Sequence, residues 1–391
     1  MKTAAIIAEY DPFHYGHKYL IEQTRAAGAT HVAAIMSGSF TQRGGVAVFD
    51  KFTRAKTALE NGVDLVIELP ARYSLTSAAG FARGAVEIAN SLGCVYMLSF
   101  GSESGDLAAL KEASGAIEYT THTKEFDELI QRGNSYPAAL QKAMSRYYTP
   151  DVAELIASPN NTLAIEYLSA LDSIGSSIEP FTVRRFGAAH DSELDEESEN
   201  SAQSEFQSAT AIRRLIAEGK DYSAYAPLVS APTADISRLE RAILATLRTL
   251  RPSDLERIAD CSNGLGNRLY KAIRKGNSLS GIYFMTKTKR YTLARIRRAV
   301  LCGFLGIDKD ISREKCAYIR ILGMNARGKE ILSAANCTLP IDTSLKALSK
   351  TSYEARRQAE FEAQLTDIYA LAFAEPMTCG ADFTSKPIIL E

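Results

Sequence analysis

The sequence contains no tryptophan, only five histidines, and six cysteines that lie far apart. The cysteines are Cys94, Cys261, Cys302, Cys316, Cys337 and Cys379. Because none of them stands in a Cys-x-x-Cys pair, the sequence predicts neither a zinc site nor a redox pair of that type. The spacing instead indicates reduced thiols, as in a cytoplasmic protein.

Long apolar runs are also missing. None approaches the roughly 20 residues that cross a membrane, and the apolar run at the start is too short for a signal peptide because Asp11 and His14 follow it. The formal net charge is -1, so any nucleic acid has to bind a local basic patch. We therefore expect a cytoplasmic protein without membrane contact, and the length of 391 residues indicates two domains.

Short apolar runs alternate with helical patterns through the first hundred residues. The apolar runs cover 3–9, 31–37, 64–69 and 95–100, and the helical patterns cover 16–27, 51–61 and 77–91. Runs that are apolar almost throughout are typical of parallel strands covered by helices on both faces. The sequence therefore predicts an α/β fold with a Rossmann-like, doubly wound parallel sheet.

The rest of the chain is dominated by helical patterns. These cover 106–148 and 161–172, precede a strand near 181–186, and resume from 236 to about 371. The acidic stretch 191–199 is interpreted as a solvated loop. Pro227 and Pro232 indicate a boundary, so we predict a sheet domain over 1–230 and a mainly helical domain over 231–391.

The segment between the first predicted strand and the first helix carries His14, Gly16 and His17. Such a junction offers unpaired amide groups and a positive dipole end to phosphate, and glycine allows close approach. Two imidazoles three residues apart share a helical face and can stabilise charge on an α-phosphate. The alternative is a helix start with incidental histidines. A zinc site is rejected because a third ligand is missing nearby, and we predict no metal held by protein side chains.

This His-x-Gly-His segment resembles the signature of the nucleotidyltransferase and class I aminoacyl-tRNA synthetase superfamily. Members also carry a Ser-Ser-Thr-x-x-Arg or Lys-Met-Ser-Lys-Ser-like motif late in the domain, and Ser208, Thr210 and Arg213 occupy a matching pattern. Hydroxyls at a helix start and an arginine one turn later can bind the β- and γ-phosphates. The alternative is an ordinary helix cap with a surface arginine.

Further motifs resemble the bacterial tRNA(Met) cytidine acetate ligase family over most of the chain. They are AEYDPFHYGH (8–17), MSGSFTQRG (36–44), DKFTRAK (50–56), DLVIELP (64–70), FGSE (100–103), SPNN (158–161) and KTKRYT (287–292). One departure is Asp11, where many members have asparagine. Both side chains offer a hydrogen-bond acceptor.

The resemblance implies a catalytic nucleotidyltransferase domain followed by a helical tRNA-binding domain. It implies that ATP, with Mg²⁺ on its phosphates, activates acetate as acetyl-adenylate, and that acetyl-CoA is not used. The acetyl group then passes to N4 of the wobble cytidine of elongator tRNA(Met). His14, His17, Ser208, Thr210 and Arg213 are the implied catalytic residues.

The resemblance also implies an ATP-binding set around the same junction. It comprises Ile7, Ala8, Glu9, Tyr10, Asp11, Pro12, Phe13, His14, Tyr15, Gly16, His17, Lys18, Tyr19, Leu20, Gly101, Asn160, Asn161 and Arg185. Asparagine can bind a base or ribose edge, and arginine can pair with phosphate. For Arg185 the alternative is a surface charge at a strand end.

The stretch after the second strand supplies candidates for acetate or cytidine contacts, namely Ser37, Gln42 and Arg43, and the next helix start adds Lys51. Alternatively, Gly44 and Gly45 mark a mobile loop that closes over the adenylate. Lys51 could equally belong to a capping and ion-pair cluster with Asp50 and Arg54.

Basic charge is concentrated in the second half of the chain, which indicates tRNA binding through phosphate contacts. The candidates are Arg268, Lys271, Arg274, Lys275, Lys287, Lys289, Arg290, Tyr291, Arg295, Arg297 and Arg298. A tyrosine among such charges can stack on an unpaired base. The alternative is a set of solvated helix faces.

Two other functions compete with the ligase. One is an adenylyltransferase for a small cofactor phosphate, which leaves the basic helical half unexplained. The other is a nucleotide-sensing RNA-binding protein without turnover, which the paired histidines argue against.

Overall fold

The structure is a computed structural model that describes residues 1–185 and 207–391. Its strands are β1 (Thr3–Ala8), β2 (His31–Ser37), β3 (Phe40–Thr41), β4 (Gly45–Val46), β5 (Leu65–Leu69), β6 (Val95–Ser102), β7 (Glu179–Arg184), β8 (Ile319–Met324), β9 (Ile341–Asp342) and β10 (Ile388–Ile389). The acidic stretch 191–199 and the end of the strand predicted near 181–186 lie outside the described residues.

The helices of the first half are α1 (Tyr15–Ala26), α2 (Lys51–Glu60), α3 (Ala71–Ser74), α4 (Ala78–Ser91), α5 (Leu107–Thr121), α6 (Lys124–Gln131), α7 (Tyr136–Tyr147), α8 (Pro150–Leu155), α9 (Pro159–Ser173) and α10 (Ala209–Ala217). Those of the second half are α11 (Glu240–Thr249), α12 (Pro252–Arg257), α13 (Leu265–Lys275), α14 (Leu279–Thr286), α15 (Leu293–Leu305), α16 (Ala326–Ala334), α17 (Leu345–Leu348), α18 (Tyr353–Tyr369) and α19 (Ala381–Thr384). Short 3₁₀ helices cover Ile236–Leu239, Ile311–Arg313 and Ala370–Ala372. Among the described residues, no helix is long and apolar enough to cross a membrane.

One sheet of eight strands organises the molecule, in the order β10-β8-β5-β2-β1-β6-β7, with β9 also paired to β8. The neighbours from β5 to β7 pair in parallel. The chain builds outward from β1 to β5 on one side and then returns to place β6 on the other. This reversal confirms the predicted doubly wound α/β fold and puts the topological switch point between β1 and β6.

Alternate residues of the strands face two separate cores, as expected for a sheet covered on both faces. Ala5, Ile35 and Ile67 pack into a core that includes residues of α4 and α9. Ile6 and Val66 pack on the other face with Ile21 of α1 and other apolar side chains of α1 and α2. The buried sheet therefore holds the ends of β1, β2 and β6 in fixed positions.

The second half of the chain is mainly helical, as predicted, and helices α11 to α15 share an apolar core that also includes Phe40, Ala71 and Leu75 of the first half. However, β8 is a fully buried strand that lies antiparallel to β5, and β10 pairs with it. The helical expectation over 236–371 missed β8. The sheet takes strands from both sides of residue 230, so the predicted division of domains there stays a prediction.

A cluster of buried charges joins these later strands to the earlier ones. Lys51 Nζ lies 2.6 Å from Glu68 Oε1 and 2.8 Å from Asp382 Oδ2. Arg320 of β8 lies 3.0 Å from Glu68 Oε2 and 2.7 Å from Asp382 Oδ1. Each side chain is at most 4% exposed, so the two cations and the two carboxylates compensate one another away from water.

Candidate active site

The loop from Glu9 to His14 leaves the carboxyl end of β1 at the switch point and leads directly into α1. Within it, Tyr10 has a φ of 48°, an unusual backbone conformation for a bulky residue. The Tyr10 ring is buried and lies 5.0 Å from Phe13 and 4.9 Å from His17, between ring centroids. The packed rings therefore hold the loop in a conformation that the backbone alone would avoid.

The two histidines of the loop lie against each other. The rings of His14 and His17 stack with centroids 3.7 Å apart. The backbone amide of His14 donates to His17 Nδ1 over 3.1 Å. A neutral His17 therefore carries its proton on Nε2, which is left as a donor. His14 Nδ1 is buried without a hydrogen-bond partner among the described residues.

Burial disfavours the charged form of both histidines. Burial, with the positive charges of Arg185 and Arg213, lowers the pKa of His14 from 6.5 to about 3. Burial and the neighbouring His14 and Arg185 also hold the pKa of His17 well below 6.5. Because two stacked imidazolium ions would repel each other, an anion bound beside them would favour protonation of at most one at first.

A pH prediction follows from the buried His14. Between pH 6.5 and about 3, an unfolded chain takes up a proton at this residue while the folded chain does not. The free energy of unfolding should therefore rise with pH across this window, by up to about 1.4 kcal/mol per pH unit for one histidine. Urea unfolding at several pH values should show a shallower slope for His14→Gln than for the unsubstituted protein.

The matched control is His122→Gln, since His122 is exposed at the end of α5. That substitution should leave the slope almost unchanged. A His14→Gln variant with the original slope would show that burial of His14 does not set the acid dependence.

The second predicted motif reaches the same loop. Arg213 Nη1 donates to the backbone oxygen of Asp11 over 2.6 Å, and Arg213 Nη2 donates to Thr210 Oγ1 over 3.0 Å. Ser208 caps α10 by accepting from the amide of Ala211. The structure thus brings Thr210 and Arg213 to the histidine loop, and the Arg213 side chain remains 32% exposed at the crevice of the switch point.

The carboxyl ends of β6 and β7 line the other side of the switch point. The backbone amide of Arg185 donates to Ser102 O over 2.9 Å, and a Cβ on Gly101 would lie 3.0 Å from Arg185 Cγ. Arg185 Nη1 also donates to Asn160 Oδ1 over 3.3 Å. The predicted residues Gly101, Asn160 and Arg185 therefore lie together.

Glu103 explains how the start of α9 is held there. Its carboxylate accepts from the backbone amides of Asn160 and Asn161 over 3.1 and 2.6 Å, and from Asn160 Nδ2 over 2.7 Å. Asn161 Oδ1 in turn accepts from the amide of Ser104. Asn161 is therefore fixed by its neighbours. Glu103 is a positioning residue, and its role could not be read from the FGSE motif (100–103) alone.

Arg54 fixes the ends of β1 and β2, a role that the sequence did not reveal. Its guanidinium is buried and donates to the backbone oxygens of Glu9, Ser37, Gly38 and Phe49. Its position in a helix start suggested only a capping or ion-pair role. A long side chain directed back into a helix–strand junction leaves no mark on sequence periodicity.

The acetate and cytidine candidates have different environments. Ser37 is fully buried, and its Oγ has no hydrogen-bond partner in the described part of the chain. The amide of Gln42 donates to Glu9 Oε1 over 2.6 Å, and Glu9 interacts electrostatically with Arg43. Lys51 is 2% exposed and bound to Glu68 and Asp382. The geometry therefore favours the ion-pair interpretation of Lys51.

Several residues of the predicted tRNA-binding set are used inside the helical region. The guanidinium groups of Arg268, Arg274 and Arg295 donate to backbone oxygens of neighbouring loops and helix ends. Arg298 is 6% exposed and donates to Asp260 and to Gln42 O. These contacts agree with a structural role for the four arginines.

Tyr291 is 5% exposed, and its hydroxyl donates to Asn263 O. A ring that stacks on a base must expose at least one face, so the burial of Tyr291 favours a structural role. Lys271, Lys275, Lys287 and Lys289 are exposed, and Arg290 and Arg297 are half-buried.

Comparison with known proteins agrees with the His-x-Gly-His signature in the loop that follows β1. Residues 1–381 match the model of the HIGH nucleotidyl transferase family. The tRNA(Met) cytidine acetate ligase of Caldanaerobacter subterraneus is 37% identical, and that of Clostridium perfringens is 35% identical. Each match covers 100% of both chains.

Solved structures agree with these sequence relatives. Thermotoga maritima TmcAL bound with alpha-thio ATP superposes with a TM-score of 0.88 at 30% identity. Its apo form gives a TM-score of 0.86, and both matches cover 100% of each chain. From its sequence and its fold, the chain belongs to the HIGH nucleotidyl transferase family and, within it, to the tRNA(Met) cytidine acetate ligases.

Proposed function

We propose that this protein is an ATP-dependent ligase that acetylates N4 of the wobble cytidine of elongator tRNA(Met). An acetate oxygen attacks the α-phosphorus of ATP, and the bond to the bridging oxygen breaks to release pyrophosphate. The cytidine amine then attacks the acetyl carbon, a C–N bond forms, AMP leaves and the amine loses a proton. Mg²⁺ accompanies the ATP phosphates, and acetyl-CoA takes no part.

The observation that carries the proposal is the meeting of two distant motifs at the switch point. Arg213 lies 2.6 Å from the backbone oxygen of Asp11, within the loop that carries His14 and His17. In the proposal, the histidines stabilise charge that develops on the α-phosphate, and Thr210 and Arg213 bind the leaving pyrophosphate. Ser208 starts the helix that presents this pair.

The nucleoside occupies the opposite wall of the crevice. Gly101 allows the ligand to approach the strand end, while Asn160, Asn161 and Arg185 supply polar contacts. Ser37 is the favoured acetate contact because its buried hydroxyl has no hydrogen-bond partner among the described residues. The exposed lysines of the helical region bind tRNA phosphates.

Isotope-labelled acetate tests the function directly. Purified protein is incubated with ATP, Mg²⁺, labelled acetate and tRNA(Met) transcript, without CoA, and the digested RNA is analysed by mass spectrometry. We expect labelled acetyl on the wobble cytidine. If neither acetate nor tRNA changes pyrophosphate release, the protein is not this ligase, and a transfer to a small cofactor phosphate becomes the better explanation.

The proposed tRNA surface gives a separate prediction. The double substitution Lys289→Ala and Arg290→Ala removes two cations from the basic segment that follows α14, so it should weaken tRNA binding and reduce the slope of its salt dependence by about two. Acetate-dependent ATP–pyrophosphate exchange should be unchanged, because neither residue belongs to the histidine loop or to α10. Binding is measured by filter retention from low to moderate salt.

The control replaces Lys346 and Lys350, which are exposed at α17, and it should leave both the affinity and the slope unchanged. An equal loss in both double variants would indicate a general charge effect rather than a specific surface.

A further inference from the structure

Phe284 has an unusual position on α14. Its side chain is 86% exposed, whereas Leu279 and Ile282 of the same helix are buried in the helical core. Other residues therefore pack the helix against the core, and the Phe284 ring is left exposed to solvent. A single exposed apolar residue is common on a protein surface, so its surroundings decide whether it has a role.

Cations contact the residues that precede and follow Phe284 in the helix. The guanidinium of Arg297 lies 5.9 Å from the ring centroid of the preceding Tyr283. Arg268 donates to the backbone oxygens of the two following residues, each over 2.8 Å. Lys287 ends the helix and is exposed. An exposed ring followed by exposed lysines, Lys287 and Lys289, suits a nucleotide, because the base can stack while a phosphate pairs with the lysine charges.

A series of direct contacts leads from this helix to the crevice. Arg297 lies beside Gly44, where a Cβ would be 2.6 Å from Arg297 Cβ. The backbone oxygen of the nearby Gln42 accepts from Arg298, and the backbone amide of Gln42 donates to Glu9. Helix α14 is therefore linked through Tyr283 and Arg297 to the β3–β4 hairpin beside the loop that carries the histidines.

We infer that Phe284 is a stacking platform for an unpaired base of the bound tRNA. The inference rests on the proposed function, and it adds a base-binding residue that the charge pattern alone did not indicate. Unpaired bases of an anticodon loop are the RNA groups that aromatic side chains bind by stacking. A base held there lies outside the crevice, so the ring anchors the loop while another nucleotide enters the active site.

The absence of tryptophan from the chain allows a direct test. Phe284→Trp introduces a single tryptophan, and stacking on a base should quench its fluorescence when tRNA(Met) is added. The control is Tyr353→Trp, because Tyr353 is 71% exposed and also lies beside an arginine, Arg357, at 5.9 Å. A fully paired RNA duplex supplies the same backbone charge without unpaired bases.

We expect quenching by tRNA in Phe284→Trp, little quenching by the duplex, and none in the control. Equal quenching by tRNA and duplex would show that the ring senses only charge, and absence of quenching at saturating tRNA would exclude contact. Either result would overturn the inference, as would quenching by an acidic peptide but not by tRNA.

Kinetics provide a second test that separates stacking from folding. Phe284→Ala should raise the KM for tRNA roughly five- to a hundredfold, and Phe284→Tyr should restore most of it, whereas Phe284→Leu should not. Acetate-dependent pyrophosphate exchange and the melting temperature should stay the same in all three. If the unsubstituted enzyme transfers no acetate to tRNA, the proposed function fails; if it does and Phe284→Ala matches it, only the stacking role fails.

Discussion

Replacing His17 by alanine is expected to lower acetate-dependent ATP–pyrophosphate exchange by about a hundred- to a thousandfold, the cost of losing one transition-state donor. The substitution removes the Nε2 proton and also the acceptor for the backbone amide of His14. It leaves the basic surface of the helical region intact. Affinity for tRNA should therefore remain within about twofold of the original, measured by filter retention at one salt concentration.

Two further variants separate chemistry from loop geometry. His17→Asn keeps a side-chain acceptor near the amide of His14 but lacks an imidazole, so its activity should stay low if the imidazole acts on the phosphate. His122→Ala, at an exposed site on another helix, should retain full activity. Equal losses of exchange and tRNA affinity in His17→Ala would contradict the assigned role.

Asp382→Ala is expected to lower the free energy of unfolding by about 3–5 kcal/mol, because removing one member of a buried ion cluster leaves charges uncompensated. Asp382 has 0% side-chain exposure and binds both Lys51 and Arg320. Neither cation can reach water without disturbing the sheet. Chemical denaturation at neutral pH, with an unchanged denaturant dependence, would measure this loss.

The comparison variant is Glu360→Ala, which breaks the exposed pair between Arg356 and Glu360. Exposed pairs contribute less than about 1 kcal/mol, so the midpoint should barely move. A similarly small change for Asp382→Ala would mean that the cluster is not a stabilising link between β8 and the rest of the sheet.

The sequence predicted the first part of the fold because its strands are covered on both faces. Apolar runs at β1, β2, β5 and β6 and the intervening helices define a doubly wound order without long-range information. By contrast, β8 contains Arg320 and lies within a mainly helical stretch. Its strand conformation depends on pairing with β5 and on buried carboxylates, and periodicity carries neither signal.

The candidate site was predictable where chemistry is concentrated in a short motif. His14, Gly16 and His17 follow a strand, and Thr210 with Arg213 opens a helix, so each pattern has a local meaning. The roles of Arg54 and Glu103 depend on backbone groups distant in sequence, and those groups become neighbours only after folding. Tyr291 shows the converse, because a ring among basic residues can be buried although its neighbours remain at the surface.

The tight approach of Gly44 to α15 has a mechanical consequence. Gly44 has a φ of 78°, and a Cβ at this position would lie only 2.5 Å from the Arg298 amide nitrogen. The β3–β4 hairpin therefore packs directly against α15. A displacement of the hairpin or of α15 should therefore displace the other element. Gln42 connects this contact to the histidine loop, because it binds both Arg298 and Glu9. Under the proposed function, RNA that displaces the helical surface would therefore also displace the loop that carries the histidines, without a separate moving element.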